Sequence, residues 1–393
     1  MPGLPALCLR PRGPRRGAAL TLTFVAVVAV GAGSGCWDRA DSAEAASART
    51  AHPAPGATRT AGTADREAVA RAAAEAVAEG KSGKKAAQEV VSRSGDRWGT
   101  VYDRGEYAAF AEDLDGHWTG VGVWAARSGD GAIAIDKVQP GGPAERAGLR
   151  EGDRLLGVDG QPVTGMAVAD VVALLRGAAG TPVRLDLSRD GAGRTETVLR
   201  QQLRTEAVTV RQLAGEVTVI KVSSFTRGTG ERVRAAVRAA PAGGGVLLDL
   251  RGNRGGLVDE AVAAASAFLD GGLVATYDVR GEQRVLNAEP GGDTSRPLVA
   301  LVDGGTMSAA ELVTGALQDR GRAVAVGSRT FGKGSVQMPT ELPDGSVAEL
   351  TVGTYRTPAG RSLDGAGITP DVAAGERAEE RAVTVLGGLG VGP

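Results

Sequence analysis

Histidine and cysteine are almost missing: 393 residues hold two of each, His52 and His117, Cys8 and Cys36. Cys8 lies in a charged leader that export would remove, so a disulfide framework and a cysteine-based metal site are excluded. No histidine falls after residue 205, which excludes a Ser-His-Asp triad confined to the second half of the chain. Neither charge sign is in excess. With 45 basic against 46 acidic residues there is no basic field for nucleic acid and no acidic tail. Aromatic residues make up 3 %, while glycine reaches 60 and arginine far outnumbers lysine. That bias reads as a high-GC codon preference and carries no function. The length suits two compact domains plus extra segments, since single cores stop growing near ~250 residues.

The leader itself is informative. Arg10, Arg12, Arg15 and Arg16 precede the apolar run "AALTLTFVAVVAV", which ends in the small residues "GAGSGC". This is the layout of an export signal over 1–36 and places the mature protein outside the cytoplasm, secreted or at the cell surface. The run falls short of the ~20 apolar residues of a membrane-spanning helix, which favours cleavage over a permanent anchor. Cys36 is a candidate lipid-modified first residue of a lipoprotein, although Gly33 stands where such sites usually carry Leu. An ordinary cleavage site is the alternative.

Residues 37–63 mix Ala, Thr, Ser, Pro and Gly without periodicity, the composition of a flexible linker, and His52 sits inside it. From 64 to 115 the pattern turns helical, with Ala and Val on one face. These weakly apolar helices need a partner surface, either the rest of the chain or a second subunit in a homo-oligomer. Residues 116–204 read as a β-rich module. Strand-like runs "GVGVWAAR" and "AIAIDKV" are followed by short helices at "PAERAGL" and "AVADVVALL" and by the hairpin "TPVRLDLSRDGAGRTETVLR". From 205 to 373, buried strands such as "GGGVLLDLRG" and "PLVALVDGG" alternate with helices, which predicts a layered α/β domain on a largely parallel sheet. The remaining 374–393 are assigned as a C-terminal tail without a usable motif.

The stretch "GGTMSAAELVTGALQDRG" puts Ser308 at the start of a helix. Ser308-Ala309-Ala310-Glu311 fits a capping box, in which the serine satisfies a free helix N–H and the glutamate reaches back. The same place suits a nucleophile, because unpaired N–H groups of a first helical turn can hold an oxyanion. Without a histidine nearby, the base would have to be a neutral lysine whose pKa burial has lowered from ~10.4. After residue 205 there are two lysines. Lys221 lies in the alternating strand "VTVIKVSSF", where it faces the surface. Lys333 lies in "TFGKGSVQ" between Gly332 and Gly334, which let the backbone bend and approach another segment. An exposed loop lysine is the alternative reading.

The segment "LVDGGTMSAAELVTGALQDRGRAVAVGSRTFGKGSVQ" resembles the signature of the C-terminal processing peptidases, or tail-specific proteases. The resemblance implies a Ser-Lys dyad assisted by a glutamine, here Ser308, Lys333 and Gln337, with Lys333 taking the serine proton and Gln337 orienting the lysine amine. "LLDLRGNRGGL" is similar to the family's oxyanion segment, which implies that Gly255 or Gly256 lends an N–H beside that of Ala309. Arg254 stands where the family usually has proline, and Thr306-Met307 and Ala310 replace its Ser-Ala and Ser. The module at 116–204, through "GGPAERAGLREGDRLLGVDGQPV", resembles the PDZ domain that this family carries. That implies "TGVGV", Thr119, Gly120, Val121, Gly122 and Val123, as a loop whose N–H groups collect a peptide's terminal carboxylate. Arg176 is a candidate link between module and protease, or simply a solvated helix end.

The resemblance as a whole implies a crotonase/ClpP-like serine protease core with an inserted or preceding PDZ domain and N-terminal helices. It implies an exported serine endopeptidase cleaving near free C-termini, with no metal and no organic cofactor. The rival reading is an inactive PDZ-bearing scaffold that binds exported C-termini.

Overall fold

The computed structural model describes residues 62–390 apart from positions 130, 280 and 281. The export segment, Cys36 and nearly all of the linker therefore lie outside the described residues. No helix among the described residues is long and apolar enough to cross a membrane.

The chain's centre is a six-stranded sheet in the order Val208–Leu213, Val217–Val222, Val246–Asp249, Leu298–Val302, Val324–Gly327 and Val372–Ala373. The first pair is antiparallel and every other pair parallel. Strands Val246–Asp249 and Leu298–Val302 are buried at every position, as expected of parallel strands covered on both faces. Alternation along them divides the core. Ile220, Leu248 and Ala300 face helices Thr229–Ala239, Val258–Ser266 and Ala309–Asp319, whereas Val219, Leu247, Val299 and Leu301 face the other way. That second face is closed by helix Ala378–Gly388 through Ala378, Ala382 and Leu386. The segment read from sequence as a tail is thus a structural layer. Its small apolar residues recur every four positions, a spacing too weak to stand out beside its glycines.

A second, antiparallel sheet stacks beyond the helices. Strand Val347–Arg356 is its hub, pairing with Thr100–Tyr102, Ser335–Glu341 and Leu273–Val279, and the last of these with Glu282–Asn287. Helices Arg66–Ala78 and Gly83–Ser94 start on Asp65 and Ser82, whose side chains accept Glu67 and Lys85 amides. Their apolar face, Val69, Ala73, Ala87 and Val91, packs on Ala348 and Leu350 of the hub strand. The surface these helices need is supplied by the chain itself.

The β-rich module has its own core, built from Val121, Ile135, Leu155, Val171, Leu185 and Val198 among others. Its sheet runs Val123–Arg127, Ile133–Val138, Arg154–Val158, Pro182–Arg189, Ala192–Leu199, which leaves Val123–Arg127 at an edge. Strands His117–Gly120 and Gln201–Arg204 pair antiparallel where the chain enters and leaves.

Candidate active site

Two loops meet at the carboxyl ends of neighbouring parallel strands, one leaving Val246–Asp249 and one leaving Leu298–Val302, where open α/β sheets generally place their sites. Asp303 ties them by accepting the amides of Gly305 and Gly252. Thr306 donates its hydroxyl to the Leu250 carbonyl, and the Met307 amide donates to the Asn253 carbonyl. Both loops are held rigidly from below.

Ser308 comes next, buried, at φ 60° and ψ −118°. Those angles belong to the first central residue of a type II′ turn, normally glycine. The turn is closed by the Ala310 amide donating to the Met307 carbonyl at 3.1 Å. A side chain held there stores about 1–3 kcal/mol of strain. Glu311 accepts the Ser308 amide at 2.9 Å, so the pair has the placement of a capping box. Yet the Ser308 Oγ is buried without a hydrogen-bond partner. The hydroxyl does not satisfy the helix, and it does not bond to Lys333 either.

Glu311 does more than cap. Fully buried, its Oε1 accepts the Thr330 hydroxyl and the Gly332 amide, and its Oε2 accepts the amides of Ser308 and Lys333. Burial pushes its pKa up, while these hydrogen bonds pull it down. One carboxylate thereby locks the Gly332–Lys333 loop to the serine turn. The glycines beside Lys333 are required by close contacts: a Cβ on Gly334 would lie 2.4 Å from the Asp364 amide nitrogen, and Gly332 sits at φ +90°.

Lys333 itself is 1 % exposed, which rules out the loop-lysine alternative. Burial pushes its pKa down to about 8, against the opposing pull of Glu349, Asp96 and Glu311. Its Nζ lies 4.9 Å from the centre of the Trp98 ring, which in turn leans on Phe331. Gln337 is buried on strand Ser335–Glu341. Its Nε2 donates to Ser335 Oγ at 2.8 Å and Thr351 Oγ1 at 3.2 Å, and its Oε1 is buried without a partner. Lys221, by contrast, is exposed and sits 3.6 Å from Asp249.

The oxyanion candidates separate. A Cβ on Gly255 would meet Ser308 Cβ at 3.0 Å and the Ala309 nitrogen at 3.1 Å, so Gly255 adjoins both. Its own amide, however, donates to Asn253 Oδ1 at 2.8 Å. Gly256 turns toward Phe225, whose carbonyl a Cβ would meet at 2.4 Å. Ala309 opens the helix, where an amide has no intrahelical acceptor.

In the module, Thr119 and Gly120 belong to the entry strand, opposite Gln202 and Gln201, and Thr119 Oγ1 donates to Glu112. Val121 is part of the module core, and its carbonyl and that of Gly122 accept the Ala144 and Gln139 amides. Val123 begins the edge strand, beside helix Val168–Leu175. The five residues form strand, turn and strand in succession. Arg176 pairs with Asp113 at 3.1 Å and so links the module to helix Arg104–Leu114. His117 lies on the entry strand opposite Arg204.

The profile of Peptidase family S41 matches residues 216–374, and that of the PDZ domain matches 135–189. The photosystem II D1 C-terminal processing protease, a solved structure, is 31 % identical, with a TM-score of 0.50 over 78 % of this chain and 86 % of that one. The chain belongs to peptidase family S41. Among curated relatives, the carboxy-terminal processing protease CtpA of Bacillus subtilis is 34 % identical over 284 residues, 71 % of this chain and 61 % of that protein. The chloroplastic C-terminal processing peptidase of Tetradesmus obliquus is 35 % identical over 287 residues, 67 % and 62 %. This S41 member thus spans about three fifths of the length of the curated relatives it matches. Its fold is mixed α/β with a PDZ domain, as the motifs implied.

Several residues around the site carry no motif that a reader of the sequence would pick out. Asp96, Trp98 and Thr351 stand far from Ser308 along the chain, and only folding assembles them. Glu311 was visible at capping-box spacing, but its grip on the lysine loop was not.

Proposed function

We propose that the chain is an exported serine endopeptidase that cleaves proteins near their C-termini, with Ser308 as nucleophile and Lys333 as general base. The observation that carries the reading is a buried lysine, depressed to about 8, anchored to the same carboxylate as a strained serine turn. Neutral Lys333 takes the Ser308 proton as Oγ bonds to the scissile carbonyl carbon. The resulting oxyanion accepts from the Ala309 amide and from a glycine of the 255–256 pair. Gly255 can serve only by exchanging Asn253 Oδ1 for the oxyanion. The Lys333 ammonium, held by Gln337 Oε1, then gives its proton to the leaving amine nitrogen, and water hydrolyses the acyl-enzyme ester with Lys333 again as base. The PDZ domain, through Thr119–Val123 and the adjoining edge strand, holds the substrate's free C-terminus.

A PDZ-bearing scaffold without activity is the second reading. What favours it is the unbonded Ser308 Oγ and the engaged Gly255 amide, although unliganded sites often tighten only on substrate. Incubation with an unfolded protein, with cut ends mapped by mass spectrometry, separates the two. Loss of cleavage in both Ser308→Ala and Lys333→Ala, each costing about as much as the double variant, supports the enzyme. Undiminished cleavage by either single variant would assign the chemistry elsewhere.

A further inference from the structure

The S41 match begins at residue 216, yet a carboxylate from well before it is buried against the lysine end of the site. Asp96 lies in the turn after helix Gly83–Ser94 and is 5 % exposed. Its Oδ1 accepts the amides of Trp98 at 3.2 Å and Gly99 at 2.9 Å and the Thr351 hydroxyl at 2.7 Å, while its Oδ2 accepts the Thr351 amide at 2.9 Å. Three of these partners are backbone N–H groups, which can only donate. The carboxylate acts as an acceptor throughout.

A consequence follows for the hydroxyl between Asp96 and Gln337. A threonine hydroxyl owns one proton. Directed at Asp96, it leaves only lone pairs for Gln337, so the Gln337 group that meets it must be the NH₂ end. That is the contact made, at 3.2 Å, with Ser335 Oγ taking the same nitrogen at 2.8 Å. Without a fixed donor direction at Thr351, the two ends of the amide are nearly equivalent in shape and a flip would cost little.

We propose that Asp96 is a positioning residue for the catalytic base: by orienting the Thr351 hydroxyl it fixes the Gln337 amide, reserving Oε1 for the Lys333 ammonium. The same turn presents the Trp98 ring to Lys333 Nζ. The helical segment at 64–100 is therefore a working part of the site, and a protease domain cut free of it lacks an oriented base. This inference rests on the Ser308–Lys333 reading above.

The test uses the full chain and follows both cleavage of an unfolded protein and the rate at which a fluorophosphonate labels Ser308. Thr351→Val, which keeps the shape and removes the hydroxyl, is expected to lower kcat at least tenfold with KM within about twofold. Thr351→Ser restores the hydroxyl and is expected to return kcat to within about threefold of the parent. Asp96→Asn is expected to lower kcat similarly and to move the rising limb of the pH profile to lower pH. Three anions bear on Lys333, namely Glu349 from strand Val347–Arg356, Glu311 from helix Ala309–Asp319 and Asp96 from the turn, and this variant removes one. A purely structural role would lower Tm without moving that limb. Should Thr351→Val not fold, Thr351→Ala replaces it, read by the same loss of kcat at steady KM and the same rescue in Thr351→Ser. Parental kcat in Thr351→Val, or an unmoved limb in Asp96→Asn, overturns the proposal. Full cleavage and labelling in Ser308→Ala or Lys333→Ala would instead bring down the reading beneath it.

Discussion

The main-chain amides of Ser308 and Lys333 donate to one atom, Glu311 Oε2, each at 2.9 Å. The two nitrogens therefore lie within twice that distance of each other, although 25 positions separate them in sequence. Serine turn and lysine loop are registered by a shared acceptor and cannot drift independently.

Glu311→Gln tests that arrangement. A glutamine retains one acceptor oxygen and turns an NH₂ toward N–H groups that can only donate. Hydrogen bonds to a buried charge are worth about 1.5–3 kcal/mol each. We expect a stability loss of about 2–4 kcal/mol in denaturant titration, together with a fall in kcat that exceeds any change in KM. Parental values of both would show that the carboxylate organises nothing.

The backbone angles of Ser308 give a second prediction. At φ 60° a Cβ is strained whichever side chain it carries. Ser308→Ala and Ser308→Gly should be equally inactive, but the glycine variant should be more stable by about 1 kcal/mol, seen as a higher Tm. Equal melting temperatures would mean that the turn relaxes in solution.

Lys333 sets the third, a matter of pH. The base must be neutral, so kcat/KM should rise with pH through an apparent pKa near about 8. Stability has its own sign. The folded pKa is below the unfolded value near ~10.4, so the unfolded chain binds more protons between the two, and stability rises with pH across that window. Below about 8 the buried charge costs its full penalty of about 3 kcal/mol. Measured against Lys333→Met, which lacks this titration, the parent should gain stability as the pH rises from about 8 to 10.5. A constant difference would contradict a depressed lysine.

Recognition of C-termini supplies the fourth. Val123 starts a strand at the edge of its sheet, and Gly122 sits at φ +85° just before it. Charge-assisted hydrogen bonds are roughly twice as strong as neutral ones. In the Ser308→Ala chain, a peptide with a free apolar C-terminus should bind better than its amidated twin by calorimetry. Gly120→Val should erase the difference, since a Cβ there would stand 2.8 Å from the Trp118 ring. Equal binding of both peptides by the Ser308→Ala chain would remove the module's proposed role.

How much of this could be read from the sequence depends on how local the signal was. Alternating and continuous apolar runs such as "GGGVLLDLRG" announced the parallel strands, and the glycines around Lys333 announced a close approach now seen against Asp364. Helix Ala378–Gly388 escaped notice because its buried face is made of Ala378, Ala382 and Leu386, too slight a stripe to mark a layer. Asp96 and Thr351 escaped for a different reason. Each is an ordinary polar residue in its own neighbourhood, and their bond spans 255 positions. Folding brings them together through the pairing of Thr100–Tyr102 with Val347–Glu349 and the packing of helix Gly83–Ser94 on the same strand.

That strand pairing also governs timing. The PDZ core is drawn from consecutive residues between Val121 and Val198, so it can fold as soon as that stretch has been synthesised. The body that carries Ser308 and Lys333 cannot, because Thr100–Tyr102 has no partner until Val347–Arg356 arrives. Contacts of such separation form late. A nascent molecule therefore completes its PDZ domain well before the body that brings Ser308 and Lys333 together, so the candidate site is the last part of the molecule to close.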